Sequence, residues 1–355
     1  MTTTERPQIT SSTGIRALVA AVGQGPTNGR YLTRDEARMA LDAIMDGVAT
    51  RAQAGALLLL QRYRGEAPEE LAGYVDAVRG RMAPFAPDVV GMLDIGSPYD
   101  GRSKHVVVSP AASIVAAAAG VPVLMHGEPG MGPKQGLPVG EVIEALGVET
   151  DAVPDVVARG VEACGLGYMR QARLVPDVYA LKPLRGELGL RTPLHMVEKI
   201  YSPGAAPYHL IGVAHMPYLK QLAPALEQLG FRRTMVVQGI EGHEDVTTSR
   251  GARVIEIDEQ GVQDEWRLDP QALGLEPAND DDLAAGDARR SAGMTLRVLE
   301  GGATAAQRDL VLLNAALRIK LAGRAPDLPS ALDAARTALE SGAAYRKLEA
   351  WRRVR

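Results

Sequence analysis

Two kinds of apolar pattern run along the chain and divide it. Up to about residue 83, apolar positions sit in stretches opened and closed by helix signals. Thr33 with Glu36 is a capping-box pair, and the helix it opens runs to Met45, with Gly47 just beyond. Thr50 with Gln53 repeats the device for a helix through Tyr63 that carries Leu57, Leu58, Leu59 and Leu60. Pro68 opens another, running to Met82, with Glu69 and Glu70 in a first turn that favours acidic side chains. With a short helix over 14–22, residues 13–83 are predicted to form a small, all-helical N-terminal domain. A segment this short rarely covers its own apolar surface, so these helices are expected to pack on something else. A second copy of the chain is the simplest candidate. The leucines of 57–60 read equally well as that contact or as internal core.

Past the connector at Pro84 and Pro87 the pattern changes to short apolar runs ended by Gly, Ser or Pro, which read as buried strands. A strand over 89–95, a small-residue helix over 110–119 and a strand over 121–125 make one strand–loop–helix–strand unit. Its loops, 96–105 and 126–136, open at the carboxyl ends of parallel strands, where open α/β sheets bind ligands. Further strands are predicted over 165–169, 210–214 and 234–238, with a hairpin over 253–258 and 262–268. Helices are predicted over 138–146, 154–162, 176–188, 194–200 and 218–229, then over 283–299, 305–321, 328–341 and 344–353. The predicted fold class is α/β. A larger α/β domain, over 88–169 and 205–355, carries a central, mainly parallel sheet flanked by helices.

Composition narrows the functional classes. With 355 residues the chain is long for one core, which agrees with two subdomains. A net charge of −4 provides no global basic field for nucleic acid, though it leaves room for a local basic groove. The single cysteine, Cys164, excludes an intramolecular disulfide and a thiolate zinc cluster, and reads as a small buried hydrophobe. The N-terminal stretch has no apolar signal region and nothing later approaches a membrane span, so a cytoplasmic protein with no membrane partner is expected.

Three groups of residues carry candidate chemistry. Both loops of the strand–helix–strand unit combine glycines with cations: Arg102 and Lys104 in the first, Lys134 in the second. Such loops suit a phosphate, and equally describe ordinary turns with solvated basic residues. After the strand over 234–238 come Glu241, His243, Glu244 and Asp245, which suit Mg²⁺ shared with a polyphosphate or form a solvated acidic turn. His209 and His215 flank a strand as capping or core histidines, and Asn314 is expected to bond backbone at a packed helix face.

Longer motifs carry a resemblance. ELGLRT over 187–192, QRDLVLLNAALRIKLAG over 307–323, SGAAYRKLEAW near the end, and the placement of His126-Gly127 and EALGV occur in the order found in the anthranilate phosphoribosyltransferase family, which this chain resembles from about Gly14 onward. The SPYDGRSKH–SP pattern is similar to a divergent branch of anthranilate phosphoribosyltransferase-like proteins that bind nucleic acid. The resemblance implies a homodimer through the N-terminal helices, with helices around 170–200 joining the small domain. It also implies transfer of a phosphoribosyl group from phosphoribosyl pyrophosphate (PRPP) to an aromatic amine or nitrogen acceptor, with Mg²⁺ as cofactor. The family's Gly-Thr-Gly-Gly-Asp loop falls on Gly96-Ser97-Pro98-Tyr99-Asp100, its Asn-x-Ser-Thr on Val107-Val108-Ser109-Pro110, and its Lys-His-Gly-Asn on Met125-His126-Gly127-Glu128.

PRPP or another phosphorylated small molecule is therefore expected at Gly96, Asp100, Arg102, Lys104, Ser109, His126, Gly127 and Lys134. The metal pair matches Glu244 and Asp245, and the acceptor pocket matches Arg185 and His195, the latter in place of the family's Asn. Replacing several polar groups that touch substrate removes transition-state stabilisation, so an acceptor other than anthranilate is expected. The alternative is a catalytically silent homologue that binds nucleic acid along a basic groove of Arg102, Lys104, Arg170, Arg173, Lys182 and Arg185.

Overall fold

The computed structural model describes residues 8–214, 216–261, 263–284 and 286–355; His215 lies outside the described residues. The predicted start signals form as drawn from sequence. Thr33 Oγ1 accepts the Glu36 N–H at 3.2 Å, and Glu36 returns the bond to the Thr33 N–H at 3.0 Å, opening the helix Arg34–Met45. Thr50 and Gln53 do the same for Arg51–Arg64. The helices Arg34–Met45 and Pro68–Arg79 pack so closely that a Cβ on Gly73 would meet the Arg34 carbonyl oxygen at 2.2 Å. Leu57 and Leu58 are fully buried while Leu59 and Leu60 are half-buried, so the first half of the leucine run is core.

The helical domain shares one apolar core with Lys182–Leu188 and Leu194–Ile200: Leu184, Leu194 and Val197 pack into the cluster that holds Leu41 and Leu71. Two predicted helices are broken. The 176–188 stretch is Pro176–Tyr179 followed by Lys182–Leu188, because Pro183 lacks an N–H and sits in the first turn of the second piece. The 283–299 stretch splits into Asp280–Leu283 and Ala288–Leu299, with Asp287 capping the Arg290 N–H at 2.9 Å.

The α/β domain is built on seven strands: β1 (Leu93–Gly96), β2 (Val123–Gly127), β3 (Leu166–Arg170), β4 (Tyr208–Val213), β5 (Arg233–Gln238), β6 (Ala252–Asp258) and β7 (Gln263–Leu268). Their order is β3-β2-β1-β4-β5-β6-β7. The first five strands pair in parallel, and the β6–β7 hairpin adds two antiparallel strands at one edge. Side chains alternate between two cores, as the strand period requires. Leu93, Ile95, Met125, Leu210 and Met235 face the helices Ser109–Ala118 and Ala305–Leu321, whereas Leu124, Met169, Ile211 and Val236 face the core shared with the helical domain. The chain leaves β1 toward β2 and β3, then crosses back to place β4 on the other side. The carboxyl end of β1 is therefore the switch point where such sheets open a crevice. Among the described residues no helix is long and apolar enough to cross a membrane. Cys164 is buried, with its Sγ 3.0 Å from the Gly160 carbonyl oxygen.

Candidate active site

The loop after β1 is held from both sides. A Cβ on Gly96 would stand 2.1 Å from the Lys199 carbonyl oxygen, so glycine there lets the helix Leu194–Ile200 lie against the strand end. Pro98 and Tyr99 follow, and the Tyr99 side chain turns inward, its hydroxyl 2.7 Å from His126 Nδ1 and 2.8 Å from the Tyr201 hydroxyl. Asp100 is clasped by Arg191 at 2.6 and 3.1 Å. Arg102 exchanges backbone bonds with Leu137 at 3.0 and 2.7 Å, which ties this loop to the one after β2.

His126 and Gly127, predicted to meet phosphate, end β2 inside the protein. His126 Nε2 lies 3.2 Å from Asp94, and the other Asp94 oxygen lies 2.7 Å from His209 Nδ1. Burial works against the Asp94 charge, but the two imidazoles outweigh it and hold the carboxyl at about 2. His209 is thus the core histidine that was expected. Gly127 has the Tyr168 hydroxyl against it, 3.1 Å from where a Cβ would stand.

The acidic loop after β5 is positioned by Asn314. Its Oδ1 accepts the Val246 N–H at 2.8 Å and its Nδ2 donates to the Val246 carbonyl at 2.9 Å. Asp245 lies between two guanidinium groups, Arg102 on one oxygen and Arg318 at 3.1 Å on the other. Arg318 also donates to Ser109 Oγ and to the Asn314 carbonyl, each at 2.8 Å, and Arg102 donates to the Val106 carbonyl at 2.8 Å. Glu244 accepts from the Ser97 hydroxyl at 2.6 Å. All four charged side chains are fully buried, and the two cations balance the two anions.

Arg102 and Ser109, predicted as phosphate ligands, are therefore parts of an internal ion cluster. Ser109 accepts from Arg318, and Arg102 meets Arg318 only through the Asp245 carboxylate they share; Arg318 arrives from a helix two hundred residues away. The signal was present: Arg318 stands one turn after Asn314 in the stretch 310–319, which is otherwise Leu, Val, Ala and Ile.

Magnesium at this pair, where the family resemblance puts it, would need Arg102 to yield an Asp245 oxygen. The ion takes an octahedral oxygen set that includes several waters. Here both Asp245 oxygens and one Glu244 oxygen are already bonded, leaving only Glu244 Oε2 without a hydrogen-bond partner. A divalent cation would also face two guanidinium groups. Among the described residues no three His, Cys, Asp or Glu side chains come together as a metal cradle.

Glu241 closes the second constellation. Its carboxylate accepts the N–H groups of Ser103, Lys104 and His105 at 3.2, 2.9 and 3.0 Å. It also accepts the Ser103 hydroxyl at 3.1 Å and the Lys134 ammonium at 2.6 Å, and lies 3.1 Å from His105 Nδ1. Burial opposes the charge, but Lys134 and the backbone donors of Lys104 and Ser103 overcome it and hold Glu241 well below the usual carboxylate range. The Lys104 side chain itself is exposed.

On the acceptor side Arg185 is buried, its Nη1 paired with both oxygens of Glu198 and its Nη2 donating to the Gly132 carbonyl at 3.0 Å, while its Nε has no hydrogen-bond partner. His195 accepts the Thr192 N–H at Nδ1 (3.0 Å) and faces the Gly132 carbonyl with Nε2 at 3.1 Å, which is the pattern of a neutral ring. Burial, seconded by Arg185, holds it down at about 4. Glu128 is bound by Arg170 and by the Ala172 N–H at 2.9 Å, and Arg170 and Arg173 share Asp151 at 3.0 and 2.6 Å. The six basic residues of the expected nucleic-acid groove thus form no continuous free face. Arg102 and Arg185 are interior, while Arg170 and Arg173 are neutralised by neighbours.

A cleft of about 310 Å³ opens over the end of β1. Its sheet side is Pro98, Tyr99, Asp100, Gly212 and Glu241, and its helical side is Arg62, Arg191, His195, Lys199 and Tyr218. Lys199 Nζ donates to the carbonyls of Gly212 and Gly242, and burial pushes it down to about 8. Of the predicted site residues, Asp100 and His195 line this cleft. The cations Arg62, Arg191 and Lys199 were not predicted. Arg191 sat inside the ELGLRT motif and Lys199 in an apolar helix, whereas Arg62 carried no signal.

An all-helical domain set over the switch point of a mostly parallel sheet, with a cation-lined cleft between them, is the architecture of a two-domain glycosyl transferase. Residues 23–82 match the Glycosyl transferase family helical bundle domain, and residues 96–345 its a/b domain. The anthranilate phosphoribosyltransferase of Thermomicrobium roseum is 37% identical over 338 residues, covering 94% of this chain and 95% of that one. That of Xanthobacter autotrophicus is 35% identical, covering 90% and 92%. Among solved structures, the Thermus thermophilus anthranilate phosphoribosyltransferase superposes with a TM-score of 0.83 at 30% identity, over 96% of this chain and 98% of that one. The Saccharomyces cerevisiae enzyme in complex with PRPP and Mg has the same fold, with a TM-score of 0.83 at 19% identity over 96% and 97%. The chain belongs to the anthranilate phosphoribosyltransferase family.

Proposed function

We propose that the cleft binds PRPP and that the protein transfers its phosphoribosyl group to a nitrogen acceptor lacking the carboxylate of anthranilate. Family membership over nearly the whole chain supports the donor. The observation that carries the acceptor is the Arg185–Glu198 pair: the guanidinium matched to anthranilate recognition is buried and already neutralised. Opening that pair would strand a buried charge, which is strongly unfavourable.

In the reaction the acceptor nitrogen attacks C1 of the ribosyl group, the bond from C1 to the diphosphate oxygen breaks, pyrophosphate leaves and the nitrogen gives up a proton. The protein's part is positioning and charge complementarity. Arg62, Arg191 and Lys199 line the cleft, where they would offset the charge of the departing pyrophosphate, and Lys199 is mostly ammonium at neutral pH. Mg²⁺, which the Saccharomyces cerevisiae enzyme holds together with PRPP, would be held here by Glu244 and Asp245 and would neutralise charge on the diphosphate.

Calorimetric titration with PRPP, in chelator and in magnesium, tests the donor. Tighter binding in magnesium is expected, and no heat at millimolar PRPP in either condition would sink the reading. Pyrophosphate release with anthranilate and with a panel of uncharged aromatic amines and azoles tests the acceptor, with no release expected for anthranilate. We also propose a homodimer through the helical domain, where Tyr63 and Leu190 stand 95% and 59% exposed. Sedimentation at twice the chain mass is the expected result.

A further inference from the structure

Six donors converge on the Glu241 carboxylate from two different loops. Three are consecutive backbone N–H groups, of Ser103, Lys104 and His105, which form a concavity of the kind that binds anions. Lys134, the Ser103 hydroxyl and the His105 ring complete it. The carboxylate reaches this nest from a residue at φ +54°, a left-handed conformation that side chains other than glycine and asparagine seldom adopt. The nest therefore holds its occupant against a local backbone preference. Glu241 also lines the cleft, so its departure would open the nest to that space.

We propose that Glu241 is a displaceable internal occupant of the Ser103–Lys104–His105 nest with Lys134, seated where a phosphoryl group of the ligand in the cleft would be held. The ligand class is the phosphomonoester or diphosphate group of a small molecule. A phosphoryl group brings three acceptor oxygens and a larger negative charge to donors that a carboxylate meets with two oxygens. Exchange thus swaps one anion for another without leaving Lys134 unpaired. In the unliganded protein Glu241 lowers the apparent affinity by the fraction of time it is seated. The inference rests on the reading of the cleft as a phosphate site, and its test omits the ribosyl group so that the two fail separately.

The experiment is calorimetric titration of the full chain with inorganic pyrophosphate in chelator. Glu241→Gln keeps the size of the side chain and removes its charge. It is expected to bind pyrophosphate about tenfold tighter or better than the native chain, which corresponds to a latch seated roughly nine-tenths of the time. Adding Lys134→Ala should abolish the gain. A short single-stranded oligonucleotide, offering phosphodiesters, should show no gain. Equal affinity of Glu241→Gln and native chain, a gain that persists with Lys134→Ala, or a gain confined to the oligonucleotide would overturn the proposal. Should Glu241→Gln fail to fold, hydrogen exchange on the native chain decides. Saturating pyrophosphate is expected to speed exchange at residues 240–242 while 103–105 stay protected. Unchanged exchange at 240–242 would overturn it.

Discussion

Arg318 and Asp245 show what one buried contact does for this fold. Burial works against the Asp245 charge, which Arg102 and Arg318 offset, and all three side chains are sealed from solvent. Arg318→Leu leaves a carboxylate short of a partner in the interior, so a loss of about 3–5 kcal/mol is expected in urea unfolding. His195 makes a different prediction, in pH. Its folded value is about 4, against about 6.5 in an unfolded chain. Between those values only the unfolded chain takes up the proton, so the native state weakens as pH falls from about 6.5 toward 4, by roughly 3 kcal/mol at the limit. His195→Asn removes that term. Urea unfolding at pH 7 and pH 4.5 should show the native chain losing roughly 2–3 kcal/mol more than the variant across that interval.

At the level of elements, capping boxes and terminal prolines were readable because they act within four residues. Thr33, Thr50 and Pro68 open helices where local hydrogen-bond chemistry requires them. The splits near Pro183 and Gly286 escaped because the apolar pattern continues across them and only the backbone geometry ends. The contact of β1 with the helix Leu194–Ile200 was not readable at all. Gly96 matched a phosphate-loop glycine, yet its neighbour is the Lys199 carbonyl. Gly96→Ala should therefore cost about 1–3 kcal/mol as overpacking. It should also shift Lys199 in the cleft wall, seen as a lower thermal midpoint together with altered PRPP binding.

For the whole molecule, the helical domain and the sheet share an apolar core, so the cleft between them is bounded by two walls fixed to each other. The buried cluster of Arg102, Arg318, Asp245 and Glu244 already balances its own charges. A ligand that binds only the native state raises the midpoint of thermal unfolding, and one without a site leaves it unchanged. Without PRPP, millimolar magnesium is thus expected to move the midpoint by less than about one degree relative to chelator. A rise of several degrees would mean that Arg102 yields Asp245 to the metal.

The sequence by itself determined the α/β class, the helical N-terminal domain, the edge hairpin, and a family resemblance that the comparisons with known proteins bear out, because these rest on local periodicity, caps and long ordered motifs. Only the tertiary structure decided what the charged residues do. Arg102 sits 143 residues from Asp245 and Arg318 lies 209 residues from Ser109. Lys134 meets Glu241 across 107 residues. A charge in a sequence advertises a ligand and an internal partner in the same letter. Which one it has depends on what the fold brings within about 3 Å, where hydrogen-bonded ion pairs form.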